Sequence, residues 1–401
     1  MANAINLLVL THNYPRRAGD HAGVFIALLA KHLEPHGLRP IVLAPHDPGA
    51  AEREDLEGVR VHRFRYAARD QDEDVAYRGH MQHIVLGSVS GVFRFRRFLH
   101  CWRAAAFDLL VRERIDAVAG HWLVPSGFVL KTIADRTTLP LVLSSHGTDV
   151  RLIRKFAGAA YRYFRPLGRR LDRWTFVSTF LRDAIAGLDP GLAPILEVLP
   201  LPHDETVFHR DPAVPREPHT IVAVTRFTPQ KRVDALVKAF ALVAAHRPDT
   251  RLEIYGAGPG EHGIRALIDR FGLGERVRIS PPIPQDRLRT VYNRAGMVVL
   301  NSHEEGFGLA LSEAMLCGAP VIGAASGGIT DIIAHERRGL LVEPDNTAAL
   351  AEAILRLLAD HPLRARLAEA GCAFAREQFA ARPLAARYAA IIHDAVARRT
   401  G

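Results

Sequence analysis

The stretch MVVLNSHEEGFGLALSE, residues 297–313, changes its hydrophobic pattern halfway along, and that change decides the fold. Met297–Leu300 is a short continuous apolar run of the kind a buried strand needs. Gly306 and Gly308 disfavour helix, so Glu305 falls in a loop directly after the strand. A helix is expected from about Leu309, with Glu313 in its first turns. Carboxylates in such a place suit a ligand site, where an anion meets the unpaired N–H groups and positive end of the helix. They suit equally a solvated Glu305 and a Glu313 that merely complements the helix dipole. The pattern alone leaves both readings open.

The same strand, loop and helix recur in both directions from this point. Strands are expected at Ile5–Leu10, Pro40–Ala44, Val59–Phe64, Ala117–Gly120, Leu141–Ser144, Thr175–Val177 and Ile195–Leu199. A second series follows at Ile221–Thr225, Leu252–Tyr255, Val277–Ile279, Met297–Leu300, Val321–Gly323 and Leu340–Val342. Helical patterns such as Val233–Ala245 lie between them, which argues for parallel sheets covered on both faces. The proline-rich DPAVPREPH, 211–219, separates the two series. The expected organisation is an N-terminal α/β domain over 1–205, a linker over 206–219 and a C-terminal α/β domain over 220–381. A last helix over 382–401 fits either domain. Two doubly wound domains facing each other would leave a cleft between them, with the chemistry on the loops after the strands.

Composition supports this. A chain of 401 residues exceeds one ordinary core. At 48% hydrophobic and 24% charged it is an ordinary globular chain, without an apolar run long enough to span a membrane. MANAINLLVL lacks a basic opening and reads as a first strand, not a signal peptide. Three scattered cysteines, Cys101, Cys317 and Cys372, show no metal spacing and fit a reducing cytoplasm.

Applied to each motif, the post-strand rule selects further residues. In VTRFTPQKRVDALVKAF, 224–240, Arg226 ends a strand and Lys231 precedes a helix, a pair suited to clamping a diphosphate. LVLSSHGTDV, 141–150, sets His146 at a carboxyl end, where it would bond a substrate hydroxyl or carry a proton. Asp149 beside it reads as a helix N-cap. YPRRAGDHAGVFIALLAKHL, 14–33, brings Gly19 and Gly23 into a loop feeding the first helix. Against each stands a plainer reading: surface cations, a turn, an ordinary loop.

Three patterns are discounted. GPGEHG, 258–263, matches a dinucleotide fingerprint but contains a proline, and no acid about 20 residues on follows a second clean strand. DQDED, 70–74, has a spacing open to a divalent metal yet reads better as a solvated acidic loop. The 20 histidines show no paired ligand spacing, so no metal residue is assigned.

The net charge of +9 is concentrated. Arg151 to Trp174 holds eight Lys/Arg and one acid, Asp172. Its apolar residues, at 152, 153, 156, 160, 163, 164, 167, 171 and 174, fall on one helical face broken near Pro166. RFRRFLHCWR, 94–103, is a second basic and aromatic patch. The common reading is a pair of packed helices with a solvated face; the sharper one is a surface for anionic lipid or a lipid-diphosphate substrate. No nucleic-acid recognition module accompanies the charge.

Together these segments resemble the nucleotide-sugar-dependent glycosyltransferases of family 4, built as two facing Rossmann-like domains, the GT-B fold. NSHEEGFGLALSEAMLCGAPVIGAASGGITDII, 301–333, resembles that family's E-x7-E signature, with Glu305 and Glu313 as its acids. TRFTPQKRVDALVKAF, YGAGP (255–259), GLLVEPDN (339–346) and HGTD (146–149) resemble further blocks in the same order. The likeness is dense after residue 220 and thins between about 50 and 115. It departs at Pro200-Leu201-Pro202-His203-Asp204, where the family has P-N-G-V-D, and at Asn301, where a proline is common.

The resemblance implies that Glu305 contacts the donor sugar's hydroxyls and that Gly306, Phe307, Gly308 and Leu309 hold sugar and phosphate through their backbone. Glu313 would bind the ribose and Arg226 with Lys231 the diphosphate. His146 would face the sugar from the other domain, and Gly23 would lie near phosphates and acceptor. It implies retention of configuration, no metal and no cofactor beyond the donor itself. The expected activity is transfer of a hexosyl unit from a nucleotide diphosphate sugar to a glycan or lipid-linked glycan, for cell-surface polysaccharide or glycolipid. The expected place is the cytoplasm or the inner membrane face, with Arg151–Trp174 meeting anionic lipid and no nucleic acid bound. The alternatives are a nucleotide-sugar epimerase or hydrolase on the same scaffold, and a non-catalytic basic binding protein.

Overall fold

The computed structural model describes residues 4–77, 81–155 and 157–400. The chain divides into two units. One holds the chain up to Val177, Leu181–Pro202 and the segment from Ala381; the other holds Ser178–Phe180 and His203–Ala380.

The first unit carries a sheet of β1 (Ile5–Leu10), β2 (Leu38–Pro45), β3 (Arg53–Leu56), β4 (Val59–Phe64), β5 (Ala117–His121), β6 (Leu141–Ser145), β7 (Arg173–Phe176) and β8 (Leu196–Val198). Their spatial order is β3-β4-β2-β1-β5-β6-β7-β8. All neighbours run parallel except β3 with β4. β3 was absent from the sequence reading because REDL has no apolar run: it is an edge strand, and its charges keep that edge from pairing further. β7 begins two residues before the expected start, at Arg173. That cation is buried because its guanidinium pairs with Glu197 and Asp394.

The second unit carries β9 (Glu217–Val224), β10 (Arg251–Tyr255), β11 (Val277–Ser280), β12 (Ala295–Leu300), β13 (Val321–Ala324) and β14 (Leu340–Val342). The order is β11-β10-β9-β12-β13-β14, all parallel. Both sheets are therefore doubly wound and Rossmann-like. Each builds outward from its first strand, then reverses: between β1 and β5 in one, between β9 and β12 in the other. Such reversals leave a crevice at the carboxyl ends of the flanking strands.

The proline-rich stretch 211–219 is part of the second unit. Arg216 donates to the Ala295 and Cys317 carbonyls (2.8 and 3.2 Å), Asp211 N to Asn293 Oδ1 (2.8 Å), and β9 already begins at Glu217. The last helix, Ala381–Thr400, packs on the first unit. Leu384, Tyr388, Ile392 and Ala395 recur at helical spacing and are buried in one cluster with Ile26, Leu29 and Leu38. Each of the larger apolar side chains contributes about 1.5–3 kcal/mol on burial.

Within Arg151–Trp174 the single helical face holds only in part. Helices span Thr148–Lys155 and Ala157–Gly168, whereas Leu171 follows a turn and Trp174 belongs to β7. Phe156 lies outside the described residues.

Candidate functional site

In the second unit the chain leaves β12 at Leu300 and re-enters helix at Leu309–Leu316, as the glycines require. Gly308 sits at φ 110°, a left-handed conformation open to glycine, and turns the chain into that helix. Leu311 N bonds the Gly308 carbonyl (2.9 Å), leaving the Leu309 and Ala310 N–H groups without a partner among the described residues. These donors and the helix dipole form an anion-binding end.

Glu305 lies in the loop and pairs through Oε2 with Lys231 Nζ; both are mostly buried. Its Oε1 accepts from Gly306 N (3.2 Å). Burial pushes the Glu305 carboxyl up, but Lys231 and the Gly306 N–H outweigh it, so the group stays below the usual carboxylate range. Lys231 follows β9 and Glu305 follows β12, so the ion pair straddles the reversal point of the sheet. Arg226, also after β9, is exposed and makes no ion pair among the described residues. The loop that carries it is held by glycines at and just before the start of the discounted GPGEHG pattern. Gly256 and Gly258 lie so close to Thr225 and Phe227 that a Cβ on either would overlap their backbone. Phe227 N and Gly260 N complete the join, bonding Ala257 O and Phe227 O at 3.0 and 2.9 Å.

Glu313 does not sit as an exposed helix-dipole partner. It is buried, and its Oε2 accepts from Tyr292 OH at 3.0 Å. Burial pushes its carboxyl up to about 8, with the Tyr292 hydrogen bond lowering it only partly. Phe307 has its side chain in the core, near His203 and Phe379. Only its backbone is available to a ligand.

Residues the motif reading passed over hold this loop. Gln230 Nε2 donates to Glu304 O (3.0 Å), while His303 N donates to Gln230 O (2.8 Å). Glu304 N donates to Ser326 Oγ (2.8 Å) and Gly328 N to Glu305 O (2.7 Å). Glu304 is the left-handed residue (φ 45°) around which the loop turns. Nothing local announces these contacts, since the partners lie on separate βα loops. His203, in the divergent PLPHD turn, bonds Ser312 Oγ at 2.7 Å and so braces the helix Leu309–Leu316.

In the first unit His146 follows β6 at the carboxyl end of the sheet. Its Nε2 lies 3.1 Å from His121 Nδ1, its ring packs on Trp122 and Phe25, and His12 packs on the same Trp122. Burial and the neighbouring histidines hold His146 well below its ordinary pKa; burial alone takes His121 to about 3 and His12 to about 4. All three are neutral near pH 7, so His146 presents a neutral imidazole able to hydrogen-bond. Its Nδ1 is buried with no hydrogen-bond partner among the described residues. His12 and His121 were passed over, although each stands at the end of a strand flanking the β1/β5 reversal, the position the post-strand rule selects.

Asp149 is not the N-cap. It lies inside the helix Thr148–Lys155 and its carboxylate accepts from the His146, Gly147 and Leu123 N–H groups (3.3, 3.1 and 2.8 Å), fixing the His146 loop. Gly23 caps the helix Val24–Lys31 at φ 59°, where a Cβ would overlap Asn13 O.

Three of the four DQDED acids are spent on neighbours: Asp70 pairs with Arg65, Asp74 with Arg94, and buried Glu73 with His46 (2.5 Å). His46, Asp70 and Glu73 offer ligand atoms within 4.8 Å of one another. Arg65 reaches both acids, so the cluster already carries its counter-charge.

Residues 22–202 match the family described as Glycosyl transferase 4-like domain, and residues 204–373 match Glycosyl transferases group 1. A D-inositol 3-phosphate glycosyltransferase of Frankia alni is 32% identical over 280 residues, covering 63% of this chain and 68% of its own. Sucrose-phosphate synthase of Thermosynechococcus elongatus superposes with a TM-score of 0.78 at 20% identity, over 98% of this chain and 100% of that one. The Anabaena protein HepE, solved with UDP-glucose, gives 0.69 at 19% identity, over 96% and 98%. The two structures establish likeness of fold, that of the GT-B enzymes. The chain therefore belongs to the glycosyltransferases, a 4-like domain followed by a group 1 domain.

Proposed function

We propose that this glycosyltransferase transfers a hexosyl unit, with retention of configuration, from a nucleotide diphosphate sugar to a glycan or lipid-linked glycan. The observation that carries the donor assignment is the Lys231–Glu305 pair at the β9/β12 reversal, beside exposed Arg226 and the open helix end at Leu309. Arg226, Lys231 and that helix end supply positive charge for a diphosphate that becomes more anionic as it leaves. Ionised Glu305 is an acceptor for sugar hydroxyls, and Glu313 for a ribose diol. HepE's UDP-glucose supports a nucleotide sugar as donor class.

For the chemical step we propose departure and attack on one face of the sugar. The bond from the anomeric carbon to the diphosphate oxygen breaks, and the acceptor oxygen bonds that carbon. The leaving phosphate takes the acceptor's proton. Neutral His146 orients a hydroxyl and carries no proton. In this scheme Arg226 and Lys231 supply the charge that a metal would otherwise bring.

The test is a thermal-shift screen with UDP, GDP and ADP, followed by turnover of the matching nucleotide sugars with and without glycan acceptors. Stabilisation by one nucleotide and acceptor-dependent release of it is the expected result. No stabilisation by any of them would overturn the donor assignment, and turnover indifferent to acceptor would mark a hydrolase or epimerase. Unchanged single-turnover transfer by Glu305→Ala at saturating donor would overturn the role of that acid.

A further inference from the structure

The helix Val89–Arg112 of the first unit exposes one continuous stripe. Val89, Val92 and Phe93 occupy its first turns at 75, 42 and 66% exposure, and Arg96 and Arg97 follow at the same helical spacing. The opposite face, with Phe98, Leu99 and Trp102, is buried. The helix thus has two apolar aspects, one in the core and one open to solvent, the open one ending in cations. Three exposed apolar side chains in adjacent positions form a patch.

A chain of aromatic rings connects the inner side of this helix to the Arg151–Trp174 stretch. Phe95 packs edge-on against Phe128 (5.9 Å), and Phe128 against Tyr163 (5.2 Å), which is 46% exposed on the helix Ala157–Gly168. Around Tyr163 that helix and its end expose Arg162, Arg165 and Arg169. Arg165 is partly neutralised by Asp189 at 3.4 Å. Arg96, Arg97, Arg162 and Arg169 make no ion pair among the described residues. The helix Val89–Arg112 thus presents an apolar tip followed by guanidinium groups without an ion pair among the described residues, and the helix Ala157–Gly168, joined to its inner side through those rings, exposes further cations.

We propose that this face docks the protein on an anionic lipid bilayer, with Val89, Val92 and Phe93 entering the headgroup boundary and the arginines meeting lipid phosphates. A bilayer matches both halves of the surface, since acyl boundary takes the apolar tip and negative surface potential attracts the cations. A polyanion such as nucleic acid would use the charge and leave Phe93 in water. The inference does not rest on the donor site and is tested without any nucleotide sugar.

The experiment is co-sedimentation of the full chain with vesicles of phosphatidylcholine alone and of phosphatidylcholine with about 30% phosphatidylglycerol, in roughly 50 mM and 500 mM salt. Binding is expected to the anionic vesicles at low salt and to fall at high salt. Phe93→Ser and Arg96→Glu/Arg97→Glu should each lower partitioning, the charge reversal by about 10-fold or more. Both positions are exposed, and circular dichroism of the variants checks that the fold is kept. Failure of the wild type to bind anionic vesicles, or equal binding by the Phe93→Ser variant, would overturn the proposal. So would binding of a duplex oligonucleotide as tight as that of the vesicles and indifferent to Phe93.

Discussion

Lys231 and Glu305 stand 74 positions apart and form an ion pair at the carboxyl ends of β9 and β12, the two strands between which the second sheet reverses. The pair holds Glu305 ionised despite its burial. Removing the cation should leave a buried, unpaired carboxylate and take away a donor for developing charge. Lys231→Ala is expected to slow single-turnover transfer by about 10²-fold or more, the usual cost of losing one such donor. Saturating donor should not restore the rate, and rapid-quench kinetics with labelled nucleotide sugar decides it.

Glu313 predicts a proton linked to nucleotide binding. With its carboxyl pushed up to about 8, it is largely protonated at pH 7. A ribose diol donating two hydrogen bonds favours the ionised form, so binding should release protons around neutral pH. Calorimetry of nucleotide binding in buffers of different ionisation enthalpy measures that release. Glu313→Gln should abolish it.

The same group acts on stability. Between about 4.5 and 8 the folded state holds the Glu313 proton that the unfolded chain has lost, so stability falls as pH rises through that window. Glu313→Gln should remove this loss, leaving the variant more resistant to urea than the wild type at pH 8–9, by ~1–4 kcal/mol. Equal midpoints at that pH would refute the buried, protonated carboxyl.

The buried histidines work in the opposite sense. His12, His121, His146 and His203 are neutral when folded, His121 and His203 falling to about 3 through burial, whereas the unfolded chain takes up protons near pH 6.5. Their stabilising contribution is complete above about 6.5 and is lost as pH falls toward 3–4. Acid unfolding followed by circular dichroism should steepen below pH 6.5. The pH–rate profile should show no ionisation of His146 between pH 5 and 8.

Gly327 supports the Glu305 loop from the loop after β13. It sits at φ 64°, and a Cβ there would overlap the Glu305 carbonyl oxygen. Gly327→Ala should cost about 1–3 kcal/mol in stability, through left-handed strain and displacement of the loop. Donor binding should weaken as well, seen as a smaller nucleotide-induced shift in Tm.

Much of this was legible along the chain because it depends on near neighbours. Alternating apolar runs and helical spacings place thirteen of the strands, and glycines mark where Glu305 leaves β12 and where the helix at Leu309 begins. β3 escaped because an edge strand of charged residues carries no apolar signal. Local spacing gives Asp149 the look of a cap because it cannot show the bond to Leu123 N on another loop.

The order of apolar and polar residues by itself determined two series of βα units and put Glu305, Arg226, Lys231 and His146 on post-strand loops, since backbone period is a local property. The tertiary structure alone decided which loops meet. Strand order joins β9 to β12 and so Lys231 to Glu305, and brings His121 against His146. It decided protonation too: Glu313 and the histidines are neutral because distant side chains exclude water from them, a cost of burying charge that no run of neighbouring residues records.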